Sequence, residues 1–283
     1  MTRTNALLGY PDDARLLIIN ADDFGLSHSA NEAILRAWRD GVVASTSLMV
    51  PCPWAPHAMS LLRDHPDLPF GVHLTIIREF VPYRWGPVAP VTKVPSLVDR
   101  RGHFLYDDEE RDALLSRADI NEVEIEFRAQ IDDVLAEGLR PTHLDFHCLP
   151  DGGRDDIFDL ALRLAREYGL ALRAHFPHSA AKCHKLGLPA NDHPVLDSYS
   201  MDPATKTEQY VALLREMPPG LNEWAVHPGL GNDETRALEP GSWQVRRADL
   251  DAMVSPEVRN AIEEHGITVI DYRALQAVWT GTP

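Results

Sequence analysis

Leu16-Leu17-Ile18-Ile19-Asn20-Ala21-Asp22-Asp23-Phe24-Gly25 is an apolar run of strand length that ends in two adjacent carboxylates. Four apolar residues in succession predict a strand buried on both faces of a parallel sheet. Two acids side by side repel each other and gain nothing from a core. The C-terminal end of such a strand is where α/β folds build their sites. The pair therefore points to a metal ligand with a base beside it.

The same pattern recurs along the chain. Leu68-Pro69-Phe70-Gly71-Val72 ends in His73, Thr142-His143-Leu144-Asp145-Phe146 ends in His147, and Glu223-Trp224-Ala225-Val226 ends in His227, followed by Pro228-Gly229. Four apolar segments that each finish on a ligand or acid/base side chain place one site at one rim of a parallel barrel.

Between these segments the sequence alternates strand and helix patterns. Helices are expected over residues 27–40, 53–64, 121–137, 155–168, 206–217, 255–264 and 273–279. Strands are expected over residues 16–20, 42–50, 68–75, 142–147, 170–175, 221–227 and 267–272. No Gly-rich dinucleotide fingerprint interrupts them. The rhythm reads as α/β, a single (β/α)-barrel domain over residues 14–283 with seven strands and irregular closure. Residues 1–13 read as a loose N-terminal tail, 176–203 as irregular, and 229–249 as a loop or short helix. Residues 76–112 carry four prolines with Tyr83, Trp85, Phe104 and Tyr106, and read as an ordered insertion facing the substrate.

Composition narrows the function classes. With 283 residues, 44% of them hydrophobic, the chain is long enough for a full barrel core. A formal net charge of −16 disfavours a nucleic-acid partner, which needs a basic surface. It favours a neutral or cationic small molecule. No stretch reaches the roughly 18 apolar residues of a membrane span. Met1 to Asp13 lacks a signal-peptide layout. Cys52, Cys148 and Cys183 are too few and too far apart for a disulfide framework and fit a reducing cytoplasm. A homodimer is left open.

Asp23, His73 and His147 form the expected metal set: one carboxylate and two imidazoles suit Zn²⁺ and other divalent ions. Asp22, next to the ligand, is placed as a general base if the backbone turns at Phe24-Gly25, because alternation along a strand would otherwise send the two acids to opposite faces. His227 is expected across the site from Asp22, as a general acid. Asp145 is expected to orient a neighbouring ligand and His143 to be structural. Cys148 is expected to point away as a small buried residue. His175 is divided between substrate contact and structure.

At these residues the chain resembles the YdjC-like carbohydrate deacetylases, the chitooligosaccharide deacetylase group. The matching motifs are Asn20-Ala21-Asp22-Asp23-Phe24-Gly25, Gly71-Val72-His73-Leu74-Thr75, Thr142-His143-Leu144-Asp145-Phe146-His147 and His227-Pro228-Gly229, in order between about residues 16 and 272. The resemblance implies a distorted TIM-like barrel. It also implies hydrolysis of an N-acetyl group on a small amino sugar or chitooligosaccharide, with one divalent ion, Mg²⁺ or Zn²⁺, on Asp23, His73 and His147. Asp22 matches the base and His227 the acid. After the match to His147 the family carries further histidines at alternate positions, where this chain has Leu149 and Asp151. Two other readings stand beside this one: a metal-dependent phosphoesterase or amidohydrolase on a similar barrel, and a family member that binds a sugar without hydrolysing it.

Overall fold

The computed structural model describes residues 3–281, so Met1 and Thr2 of the expected tail and residues 282–283 of the expected domain lie outside it. Ten strands form among the described residues: β1 (Arg15–Phe24), β2 (Ser45–Leu48), β3 (Phe70–Leu74), β4 (Ile77–Arg78), β5 (Leu105–Tyr106), β6 (His143–Phe146), β7 (Ala171–Leu172), β8 (Leu196–Asp197), β9 (Gly220–Val226) and β10 (Thr268–Val269). The helices are α1 (Arg3–Leu8), α2 (His28–Asp40), α3 (Ala55–Asp64), α4 (Asp107–Arg117), α5 (Ile120–Ala136), α6 (Asp155–Tyr168), α7 (Pro177–Lys185), α8 (Lys206–Arg215), α9 (Asp233–Leu238), α10 (Trp243–Met253), α11 (Pro256–Glu264) and α12 (Tyr272–Thr280).

Seven strands curl into an open barrel in the order β7-β6-β3-β2-β1-β9-β8, with β10 pairing β1 off this path. Every pairing in this sheet is parallel. Parallel strands need helical crossovers, which cover the outer face and put all C-terminal strand ends at one rim. β1 lies inside the sheet, between β2 and β9. Leu16 to Ile19 are fully buried, as a strand packed on both faces requires.

Local signals explain the clear elements. Ser27 caps α2 by accepting from the Ala30 N–H. Gly169 ends α6 in the left-handed conformation at φ +70°. In α5 the buried Val123, Phe127, Ile131 and Val134 form one stripe.

The structure corrects the sequence reading in four places. The N-terminal tail is not loose from Arg3 onward. α1 buries Thr4 and Asn5, and the Asn5 amide donates to the Pro11 and Ala14 carbonyls at 2.9 and 2.8 Å. The seventh strand on the path is β8, inside the stretch read as irregular, while the segment at 267–272 supplies only the short β10. Residues 176–203 also contain α7, and 229–249 contain α9 and the start of α10. The insertion pairs β4 with β5 and then runs directly into α4. That helix has four acids in its first turn and buries only Asp107 and Leu114, so it shows no apolar stripe to read.

Candidate active site

β1 brings both acids to the rim by breaking its own alternation. Asp23 takes a left-handed φ of +70°. From Ala21 to Phe24, β1 spends one residue more than its partner β2, which pairs Thr46 with Ala21 and Leu48 with Phe24. Such a bulge re-aims side chains, and Asp22 and Asp23 line the same pocket. The turn thus begins one residue earlier than the sequence suggested.

His73 in β3 and His147, just past β6, converge on one oxygen of Asp23. His73 Nε2 lies 3.5 Å and His147 Nδ1 3.3 Å from Asp23 Oδ1. One ligand atom from each of the three residues falls within 4.8 Å of the others. The second nitrogen of each ring meets a carboxylate: His73 Nδ1 lies 2.8 Å from Asp145 Oδ1, and His147 Nε2 lies 2.9 Å from Glu79 Oε2. An imidazole with one nitrogen free to ligate and the other tied to an acid is how proteins orient metal-binding histidines. Asp145 therefore takes the orienting place expected of it. Glu79, its counterpart, sits in the insertion and was not anticipated.

The surrounding charge suits a divalent cation. Asp22, Asp23, Glu79, Asp145, Glu223 and Glu239 cluster around two guanidiniums, Arg173 and Arg246. Burial alone would strip charge from His73, but Asp145, Asp23 and Asp22 outweigh it and hold its pKa at about 10. A cation between the rings would replace protons that the carboxylates otherwise keep there. Two imidazoles and a carboxylate fit the donor preferences of Zn²⁺ more closely than those of Mg²⁺, which favours oxygen.

Two arginines absent from the sequence reading organise the floor. Arg173, just after β7, donates from Nη1 and Nη2 to Asp22 at 2.7 and 2.9 Å and from Nε to Glu223 at 2.7 Å. Burial pushes the Asp22 carboxyl up, and Arg173 more than offsets it, so the net shift is downward. The Asn20 amide donates to the same carboxylate at 2.7 Å. Arg246 of α10 is fully buried and donates to Asp23 at 2.7 Å, to Glu79 at 3.0 Å, and to Glu239. An arginine in the apolar run Leu170-Ala171-Leu172-Arg173-Ala174 was a legible signal. Arg246 was not, because the segment that carries it reads as a loop or short helix with no phase.

His227 follows β9, the strand beside β1, rather than standing on the far wall. The last register pair between these strands is Ala21 with Val226, so Asp22 and His227 are the next residues on each. Both line the pocket, a cavity of about 410 Å³. His175 lines it too, its backbone N–H donating to Asp151 at 2.7 Å. The Phe176 N–H donates to the other Asp151 oxygen, so this acid ties down a loop.

Other residues depart from expectation or meet it. Cys148 does not point away: β6 has ended, φ is +53°, and Sγ lies 3.3 Å from both His147 Nε2 and Glu79 Oε2. Burial pushes this thiol up to about 12. His143 is structural, stacked on Tyr272 with centroids 3.6 Å apart. Trp85 is 2% exposed and packs on His147, which leaves no face for a sugar.

Residues 16–264 match the family described as YdjC-like protein. The carbohydrate deacetylase of Geobacillus stearothermophilus is 33% identical over 260 residues, covering 92% of this chain and 97% of that protein. The carbohydrate deacetylase of Thermus thermophilus is 34% identical over 272 residues, covering 90% and 92%. A solved structure from Enterococcus faecalis V583, named for a suggested cellobiose-phosphate cleavage role, superposes with a TM-score of 0.80 at 31% identity, covering 93% of this chain and 99% of that one.

Proposed function

The chain belongs to the YdjC-like family, and from that premise we propose that it is a metal-dependent carbohydrate deacetylase, hydrolysing an N-acetyl group on a small amino sugar to acetate and a free amine. The observation that carries this reading is the convergence of His73 and His147 on one Asp23 oxygen, with Asp22 and His227 each one residue past the last register pair of β1 and β9. Curated relatives named carbohydrate deacetylase support the substrate class.

Asp23, His73 and His147 would hold one divalent ion, Zn²⁺ by donor type. When bound, it supplies a Lewis acid for the acetyl carbonyl and lowers the pKa of water. The chain's own groups do the rest. Asp22 is kept ionised by Arg173 and accepts the proton of the attacking water. Because Arg173 disfavours the protonated acid, that proton is readily released to solvent, from which His227 is reprotonated before the next turnover. His227 donates a proton to the departing nitrogen. Asp145 and Glu79 hold the two imidazoles in their ligating orientation. The cavity is of the size that encloses a small ligand. A cytoplasmic setting accords with three cysteines outside any disulfide.

Phosphate chemistry is less well served. Arg173 and Arg246 are both committed to buried carboxylates, which leaves neither free to neutralise a phosphoryl group. Acetate release from a panel of N-acetylated mono- and disaccharides, with and without chelator, tests the proposal. Chelator-sensitive release is expected. Metal-loaded protein that binds a sugar and releases no acetate from any member would turn the reading to a binding role.

A further inference from the structure

Three structural elements meet behind His227. Its Nδ1 lies 2.9 Å from Ser198 Oγ, in the turn after β8. Ser198 Oγ lies 2.6 Å from Asp249 Oδ2 of α10. The same Oδ2 accepts the His227 backbone N–H at 2.9 Å. The other oxygen, Oδ1, accepts from Tyr210 at 2.9 Å and from Lys206 Nζ at 2.8 Å, both on α8. Asp249 and Ser198 are fully buried and Lys206 nearly so.

Hydrogen counting fixes the direction of the chain. A carboxylate facing an ammonium, a phenol and a backbone N–H can only accept. The Ser198 proton must then lie toward Asp249, and the Ser198 lone pair is left to accept from His227. Nδ1 carries a hydrogen, and Nε2 of this pocket-lining ring has no protein hydrogen bond among the described residues.

We propose that Ser198 and Asp249 are positioning residues that hold His227 as its Nδ1–H form through a serine bridge, and that Lys206 offsets the Asp249 charge. The proposal rests on His227 being the acid of the proposed deacetylation. In that role the ring must carry a second, transferable proton on Nε2. A bare carboxylate behind the ring would bind that proton tightly and slow its release. The serine inserts distance, and the Lys206 ammonium, 2.8 Å from Asp249 Oδ1, opposes the remaining field. The other ionisable groups around the ring are Tyr199, whose ring centroid is 4.7 Å away, Arg246 of α10, whose guanidinium lies 5.4 Å over the Tyr199 ring, and Asp22, Asp23, Arg173, Asp197 and Glu239, which line the same pocket.

The test has two arms. Nitrogen-15 NMR of histidine-labelled protein, with His227 assigned from the signal missing in His227→Gln, reports the tautomer without any substrate. The Nδ1–H form is expected in the wild type and a shift toward Nε2–H in Ser198→Ala, with Ser198→Thr restoring the first. A wild-type Nε2–H ring, or a tautomer unmoved by Ser198→Ala, overturns the relay. In the kinetic arm, Ser198→Ala should lower kcat far more than it changes KM. Lys206→Met should move the alkaline limb of kcat upward by about one pH unit, whereas Lys206→Arg should leave it in place. An unmoved limb in Lys206→Met removes the lysine from the proposal. If the wild type releases no acetate, the deacetylase reading fails while the NMR arm still decides the relay.

Discussion

Arg173 grips the Asp22 carboxylate with both terminal nitrogens, at 2.7 and 2.9 Å, while its Nε holds Glu223 at 2.7 Å. One guanidinium thus joins the end of β1 to the middle of β9 from a residue just beyond β7, across the mouth that the sheet leaves unpaired. The fork geometry matters as much as the charge, because a lysine offers one point of contact where arginine offers several.

Arg173→Lys should therefore keep the charge and lose most of the activity, by roughly 10²-fold in kcat if Asp22 is the base. Arg173→Met should in addition destabilise the fold by about 3–5 kcal/mol, since it strands buried carboxylates without a partner. Acetate-release kinetics and urea unfolding check the two effects separately. Full activity in Arg173→Lys would show that orientation of Asp22 is not limiting.

The ends of the strands were legible because each apolar run stops abruptly on a polar side chain. Asp23, His73 and His147 could be picked out that way, and the structure brings them together. Glu79, Arg246 and α4 could not. Glu79 belongs to an insertion whose path has no periodic pattern, and Arg246 reaches the site from a helix packed outside the sheet. The expectation for Cys148 failed for a related reason: alternation holds only while the ladder does, and β6 ends two residues before it.

Asp145→Asn and Glu79→Gln should each weaken Zn²⁺ binding by about 10–100-fold. Each removes the charge from the acid behind one imidazole while keeping its shape. Calorimetric titration of the metal-stripped protein measures this directly. Glu79 is the more informative of the two because it ties the insertion to the metal set. Wild-type affinity in both variants would sink the assignment of these acids as orienting partners.

His227→Ala should retain Zn²⁺ affinity and slow turnover by roughly 10²–10⁴-fold, the usual span for loss of a general acid. The same titration and acetate assay decide it. Unchanged turnover would take His227 out of the mechanism.

Gly71 is required for space. A Cβ there would sit 2.5 Å from His143 Nε2, and His143 cannot retreat because its other face stacks on Tyr272. Gly71→Ala should cost about 1–3 kcal/mol. Gly241→Ala, where nothing lies within 4 Å of the new carbon, is the control. Equal urea midpoints for the two variants would contradict the packing argument.

Glu126 gives the fold a pH dependence of its own. It is fully buried on α5 and accepts from the Val88 and Ala89 N–H groups, each at 3.0 Å, and from the Gln130 amide at 2.8 Å. It has no cationic partner among these, and burial outweighs the three bonds to raise its pKa to about 7. Unfolding returns it to the ordinary glutamate value of 4.5. Between those values the folded state binds more proton than the unfolded state, so this group's contribution to stability falls as pH rises from about 4.5 through 7, by at most about 1.4 kcal/mol per pH unit. The bonds it makes pin residues 88–89 of the insertion that also carries Glu79, so loosening should begin there. Urea midpoints from pH 5 to 8 for the wild type, minus those for Glu126→Gln, isolate the effect. The difference should decline with pH and level off above about 7; a flat difference would mean that Glu126 stays ionised throughout.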